Sequence, residues 1–150
     1  MSYQDHGPYI SAVAQAMLTA GLALPDPGQV FWHASDYDPR GGAARLDVEA
    51  LCADHAEVWV SWREDEGWFV VTIDDTDGPD PHRYVFDLDC ATVSSPAVVV
   101  RCVRSYFGVP PGAGRSDGYP EADFPDHHWE EDDPEFEAAL AVYAEDGESQ

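Results

Sequence analysis

The sequence predicts an α+β fold: an antiparallel sheet of about five strands, two helices packed on one face of it, and an acidic C-terminal helix. Three observations carry that expectation. Val58, Val60 and Trp62 alternate with Trp59, Ser61 and Arg63, and a turn ending in Gly67 leads into a second β-rich run at 68–73. Two stretches, 8–22 and 95–107, combine an apolar stripe at helical spacing with helix start signals. Asp133-Pro134-Glu135 then opens a third helical pattern in which Phe136, Leu140 and Tyr143 share a face.

In chain order, Pro8 suits a first helical turn, and Ile10, Val13, Ala14, Met17, Leu18 and Gly21 form one stripe. The opposite face carries Ser11, Ala12, Gln15, Ala16 and Thr19, small and uncharged, which leaves room for a homodimer contact. Residues 25–28 turn the chain. Residues 30–34 read as a strand containing Phe31 and Trp32, residues 36–42 as a loop, and 43–46 as a short return strand. Asp47 is placed to cap a brief helix running to Cys52. After the 58–73 hairpin, an acidic loop at 74–82 leads to a strand at 84–88. Ser95 is a natural N-cap with Pro96 at N1, Val99, Cys102, Val103 and Tyr106 make the stripe, and Gly108 follows the end. The chain thus divides into an α+β domain at 1–107 and, from the Gly/Pro-rich stretch at 108–114 onward, a linker and helical tail at 108–150, packed on the domain or tethered to it.

Charge sharpens that division. The chain carries 30 acidic and 7 basic residues, all arginine, for a net charge of −23. Residues 1–107 hold seventeen acids and six arginines, whereas 108–150 hold thirteen acids and one arginine. Such a surface repels nucleic acid and anionic membrane, which argues against both as direct partners. Three cysteines without a C-x-x-C pair speak against a disulfide framework, and the first residues lack the basic and apolar regions of a signal peptide. A cytoplasmic protein is the expectation.

No residue pattern demands catalysis or a cofactor. P-loop, G-x-G-x-x-G, G-x-S-x-G and H-E-x-x-H patterns are missing from the sequence. The cluster at 126–133 is rich in metal-ligand types, but the adjacent His127 and His128 point in different directions, so an acidic connector is the better reading and no metal site is expected. In the 74–80 loop, aligning Gly78 with a calcium-loop glycine puts Ile73 and Tyr84 where carboxylates belong. Cys52, with His55 near it, reads as a buried structural thiol, as do Cys90 and Cys102. Glu64, Asp65 and Glu66 read as an exposed turn of three acids. The most convergent catalytic set is His33, Asp36, Asp38 and Arg40, at a strand–loop junction. Alternation splits Trp59 from Trp62, so one sheet face packs on helices and the other exposes Trp59, Phe69 or their neighbours.

The run Pro8-Tyr9-Ile10-Ser11-Ala12-Val13-Ala14-Gln15-Ala16 with Ala20-Gly21-Leu22, the Asp38-Pro39-Arg40 triplet and the Trp62…Glu64-Asp65-Glu66-Gly67-Trp68 hairpin resemble a family of short actinobacterial proteins known as a domain of unknown function. The resemblance spans about residues 8–105, supports the α+β expectation and brings no site residue with it. The functional expectation therefore comes from charge: a non-enzymatic acidic module that engages a basic protein partner. Asp126, Trp129, Glu130, Glu131, Asp132, Asp133 and Glu135 are its expected contacts, carboxylates around an aromatic anchor. Three alternatives stand beside it: a DNA mimic that inhibits a DNA-binding protein, a small hydrolase-like or metal-dependent enzyme built on the His33 set, and a protein whose acidity serves only to keep it in solution.

Overall fold

A computed structural model places a five-stranded meander at the centre, in the order β1-β2-β3-β4-β5 with every neighbouring pair antiparallel. The strands are β1 (Val30–Ser35), β2 (Asp38–Leu46), β3 (Glu57–Arg63), β4 (Gly67–Asp74) and β5 (His82–Asp87). The helices are α1 (Gly7–Thr19), α2 (Pro96–Phe107) and α3 (Pro134–Glu148). The structure describes residues 6–23, 30–35, 38–74, 82–108, 119, 121–124 and 133–148. The turn expected at 25–28, most of the acidic loop, the linker from 109 onward and residues 125–132 lie outside the described residues.

This is the α+β arrangement that the sequence predicts. Register explains which residues are covered. Gly42 pairs with Trp62 and Trp62 with Trp68; Val60 pairs with Val70 and Val70 with Phe86. Pairs that sit opposite one another share a face, so these residues all point the same way, and the helices meet them there. The Tyr9 ring of α1 lies edge-on to Trp62 and Trp68 at 5.6 and 5.8 Å. Phe136 of α3 stacks on Trp62 at 6.2 Å, and Tyr106 of α2 reaches Phe86 at 5.5 Å. Gly42 allows the closest approach: a Cβ there would lie 2.9 Å from both Ile10 Cγ1 and the Phe31 carbonyl oxygen. That explains why β2 runs on through residues 38–42, where glycine-rich sequence predicts a loop. Gly42 serves helix packing and not a turn.

Local signals account for the element ends. Ser95 Oγ accepts the Val98 N–H, with Pro96 at the first helical position, and Gly108 closes α2. The β3–β4 turn ends at Gly67 with φ of 84°, a backbone region that L side chains rarely adopt. Asp47 Oδ1 accepts the Glu49 N–H, as a cap would, but residues 48–52 form turns and not the brief helix expected. The alanines on the small-residue face of α1 (Ala12, Ala16) are half-buried against the core, and Ser11, Gln15 and Thr19 stay exposed.

Polar groups inside the core are tied down. The Tyr9 hydroxyl donates to the Ser94 carbonyl at 2.6 Å and accepts from the Trp68 indole at 2.8 Å. Burial pushes its pKa well above the ordinary tyrosine value. Phe136, Leu140 and Tyr143 of α3 belong to the same core as α1 and the sheet. Tyr119 stacks on Tyr143 at 4.5 Å and Phe124 lies edge-on to Phe136 at 5.0 Å, so both aromatics pin the acidic segment inward.

Candidate binding face

The odd-numbered residues of β3 point to the side of the sheet opposite the helices. Pairing carries that side across the strands, placing Phe31, Ala43, Ser61, Phe69 and Asp87 in one row. Beside it run Arg45, Trp59, Val71 and Val85, then Glu57, Ile73 and Arg83. Phe31 and Val85 are 51% and 58% exposed. Ala43 and Ser61 are buried because their side chains are small and sit between larger neighbours; the Phe31 and Trp59 rings meet edge-on at 5.7 Å. The result is a groove of about 470 Å³, walled by Phe31, Trp59, Val71 and Ile73, with Glu57 and Arg83 also lining it. The Trp59 indole donates to Glu57 Oε1 at 3.1 Å, which fixes a carboxylate beside an aromatic ring. The groove thus sets an aromatic face beside a carboxylate, with Arg45 opposite Trp59 and Arg83 at the groove wall as cations on the same face. Sequence alternation forecast Trp59 and Phe69 on this face; the exposure of Phe31 depends on β1 pairing across β2, which alternation within one strand does not reveal.

A second polar cluster lies on the covered face. Arg40 donates through Nε to Glu64 Oε1 at 3.1 Å, through Nη2 to Glu64 Oε2 at 2.8 Å, and through Nη1 to Glu137 Oε1 at 2.8 Å. Its backbone N–H adds a 2.7 Å bond to Glu64 Oε1, and its guanidinium carbon lies 5.4 Å from the centre of the Phe136 ring. All three charged side chains are nearly sealed from solvent. Burial alone would lower the Arg40 pKa; hydrogen bonds to Glu137 and Glu64 and their negative charges outweigh it and hold it above the ordinary value. Next to the cluster, His6 Nε2 lies 2.8 Å from the Gly41 carbonyl and the imidazole stacks on Trp62. The cluster fastens α3 to β2 and to the β3–β4 turn. It offers no open position for a substrate.

Two expectations are corrected here. Glu64 is buried, and only Asp65 and Glu66 form the exposed part of the turn, where both meet Arg63 at 3.1 and 3.3 Å. Glu64 continues the inward alternation of Val58, Val60 and Trp62, and Arg40 stands opposite to satisfy it. Cys52 is exposed, not buried, on a turn with φ of 54°. The His55 imidazole lies against Asp74 at 2.8 Å, so a thiol–imidazole pair finds no support.

Of the expected partner contacts, Asp126, Trp129, Glu130, Glu131 and Asp132 lie outside the described residues. Asp133 caps α3: its Oδ1 accepts the Phe136 N–H at 3.2 Å and its carbonyl the Glu137 N–H at 3.0 Å. Glu135 is exposed in the first turn of that helix. From the catalytic alternative, Arg40 is engaged on the covered face, while Asp36 and the side chains of His33 and Asp38 lie outside the described residues. Among the described residues no group of three or more histidine, cysteine, aspartate or glutamate side chains gathers to hold a metal ion. Nor is any helix among them long and apolar enough to cross a membrane.

The three thiols differ in exposure: Cys52 is exposed, whereas Cys90 and Cys102 are half-buried. Burial pushes the Cys90 pKa up to about 12, and burial also raises that of Cys102, whose Sγ lies 3.6 Å from the Asp89 carbonyl. Treatment with iodoacetamide near neutral pH is expected to modify Cys52 first and Cys90 last, as read by peptide mass spectrometry. Modification of Cys90 ahead of Cys52 would contradict the burial assigned to each.

No protein-family model matches this chain, and no curated protein or solved structure is significantly similar to it. The resemblance of residues 8–105 to the actinobacterial family therefore rests on its own motifs.

Proposed function

We propose that this chain is a non-enzymatic protein-binding module that engages a basic protein partner, with the groove on the open sheet face receiving a cationic side chain. The observation that carries this reading is the pairing of Trp59 and Phe31 with the Glu57 carboxylate on an uncovered face of a chain with a net charge of −23. The buried clasp takes one arginine and two glutamates out of that surface, so nearly all of the negative charge remains outside it. Acidic residues of the tail, Glu135 among them, extend the same field and steer a cationic partner toward the surface.

The test is an affinity capture at low and high salt, followed by titration of the captured partner into wild type and Trp59→Ala. Basic partners are expected, released as salt rises, with binding about tenfold weaker in the variant. Neutral or acidic partners, or retention indifferent to salt, would refute the reading. Competition by duplex DNA for the same partner separates a DNA-mimicking version from general acidic binding.

A further inference from the structure

We propose that β5 is a self-pairing edge: two copies of this chain join β5 to β5 in antiparallel register centred on Val85, fusing two five-stranded sheets into one. The two sheet edges differ. The β1 edge carries a register irregularity between His33 and Ser35, a feature that spoils edge-to-edge pairing. The β5 edge keeps an unbroken register against β4 from Arg83 to Asp87, and among the described residues no strand pairs with its outer side. Its centre is apolar and uncovered: Tyr84, Val85 and Phe86 are all exposed, and Tyr106 of α2 stands exposed beside Phe86.

Hydrogen-bond parity fixes which groups face outward. The Leu88 N–H bonds the Trp68 carbonyl at 3.0 Å, so Trp68 and Leu88 are a hydrogen-bonded pair. Such pairs alternate along an antiparallel ladder. Phe86 and Tyr84 therefore bond to β4 in turn, while Arg83, Val85 and Asp87 direct their backbone N–H and C=O groups to the free edge. A second copy of β5 centred on Val85 sets Val85 against Val85 and Arg83 against Asp87, all outward-bonding residues. On the other face it sets Tyr84 against Phe86. Both ends then gain an opposite-charge pair, and both aromatics gain a cross-strand partner. Shifting the register by one pairing step in either direction sets Arg83 or Asp87 against Val85 and loses both ion pairs. The strand's own arginine and aspartate cancel, which makes this edge neutral ground on a molecule whose net charge is −23. Repulsion between the two bodies remains, so salt strengthens this contact, opposite in sign to the capture of a basic partner.

Sedimentation equilibrium tests the pairing, using wild type, Arg83→Asp, Asp87→Arg and the double exchange. Wild type is expected to rise from the 16.5 kDa of one chain toward twice that mass with concentration, more readily at high salt. Each single variant sets like charges opposite one another and is expected to weaken association by about tenfold or more. The double exchange restores the pairs within one chain and recovers the dimer; a mixture of the two single variants recovers it as a heterodimer. A wild type that stays at the mass of one chain at every salt concentration would overturn the proposal, whether the edge is bare or takes another protein's strand. A dimer that the single variants leave intact, or that the double exchange fails to restore, would overturn it equally. Failure here with salt-sensitive capture retained leaves the groove reading standing; the reverse result refutes the groove alone.

Discussion

Arg40→Leu is expected to cost about 3–5 kcal/mol of folding stability, because it leaves two carboxylates in the core with no cation between them. For a chain of this size that corresponds to a fall in melting temperature on the order of 10 °C. Attraction within the clasp is offset by the desolvation of three charges, so its net contribution is far smaller than the cost of breaking it. The converse variant separates these two quantities. Arg40→Leu combined with Glu64→Leu and Glu137→Leu removes the charges together and is expected to be close to wild type in stability, or above it. Lysine does not substitute for arginine here: Arg40 binds both carboxylates through a planar fork, and an ammonium group lacks that geometry. Urea denaturation of the single, triple and Arg40→Lys variants reads all three. A single variant as stable as wild type would mean that Glu64 and Glu137 reach water and that the clasp holds nothing.

Phe136→Ala is the second large effect, about 3–5 kcal/mol for truncating a buried aromatic ring. Its ring contacts Trp62, Phe124 and the Arg40 guanidinium, so the cavity would open between the sheet and α3, where stiff neighbours collapse poorly. Limited proteolysis is expected to cut the C-terminal region of this variant sooner than that of wild type. Glu135→Ala, one residue away but exposed, is expected to change stability by no more than about 0.5 kcal/mol. Equal stability of Phe136→Ala and wild type would show that α3 is an appendage and not part of the core. The two large effects concern touching residues, so a double variant will not give their sum.

Elements with chemistry local to their own sequence were legible. Ser95, Pro96 and Gly108 mark the ends of α2 through groups within three residues of one another, and Gly67 marks the β3–β4 turn. The face of α3 formed by Phe136, Leu140 and Tyr143 follows from helical spacing alone. Long-range partners were not legible. Glu64 pairs with a residue 24 positions away, and Arg40 with one 97 positions away, so neither separation leaves a mark on the local pattern. Yet a clue was available: the alternation of Val58, Val60 and Trp62 extends inward to Glu64. Reading 64–66 as one uniform acidic turn hid it. Gly42 misled in the other direction, since the need for glycine there came from Ile10 across the core and not from a bend in the chain. The groove was half legible: parity along β3 exposes Trp59, whereas its depth comes from small side chains on two different strands.

Because the Tyr9 ring rests on Tyr143 at 4.6 Å, the first helix finds its full set of neighbours only after the last one exists. During synthesis, a nascent chain leaving the ribosome holds Tyr9, Trp62 and Trp68 without their lid until residues near 143 clear the exit tunnel. Folding therefore completes after most of the polypeptide has emerged, and a message truncated ahead of α3 would yield a sticky product for chaperones and proteases to remove.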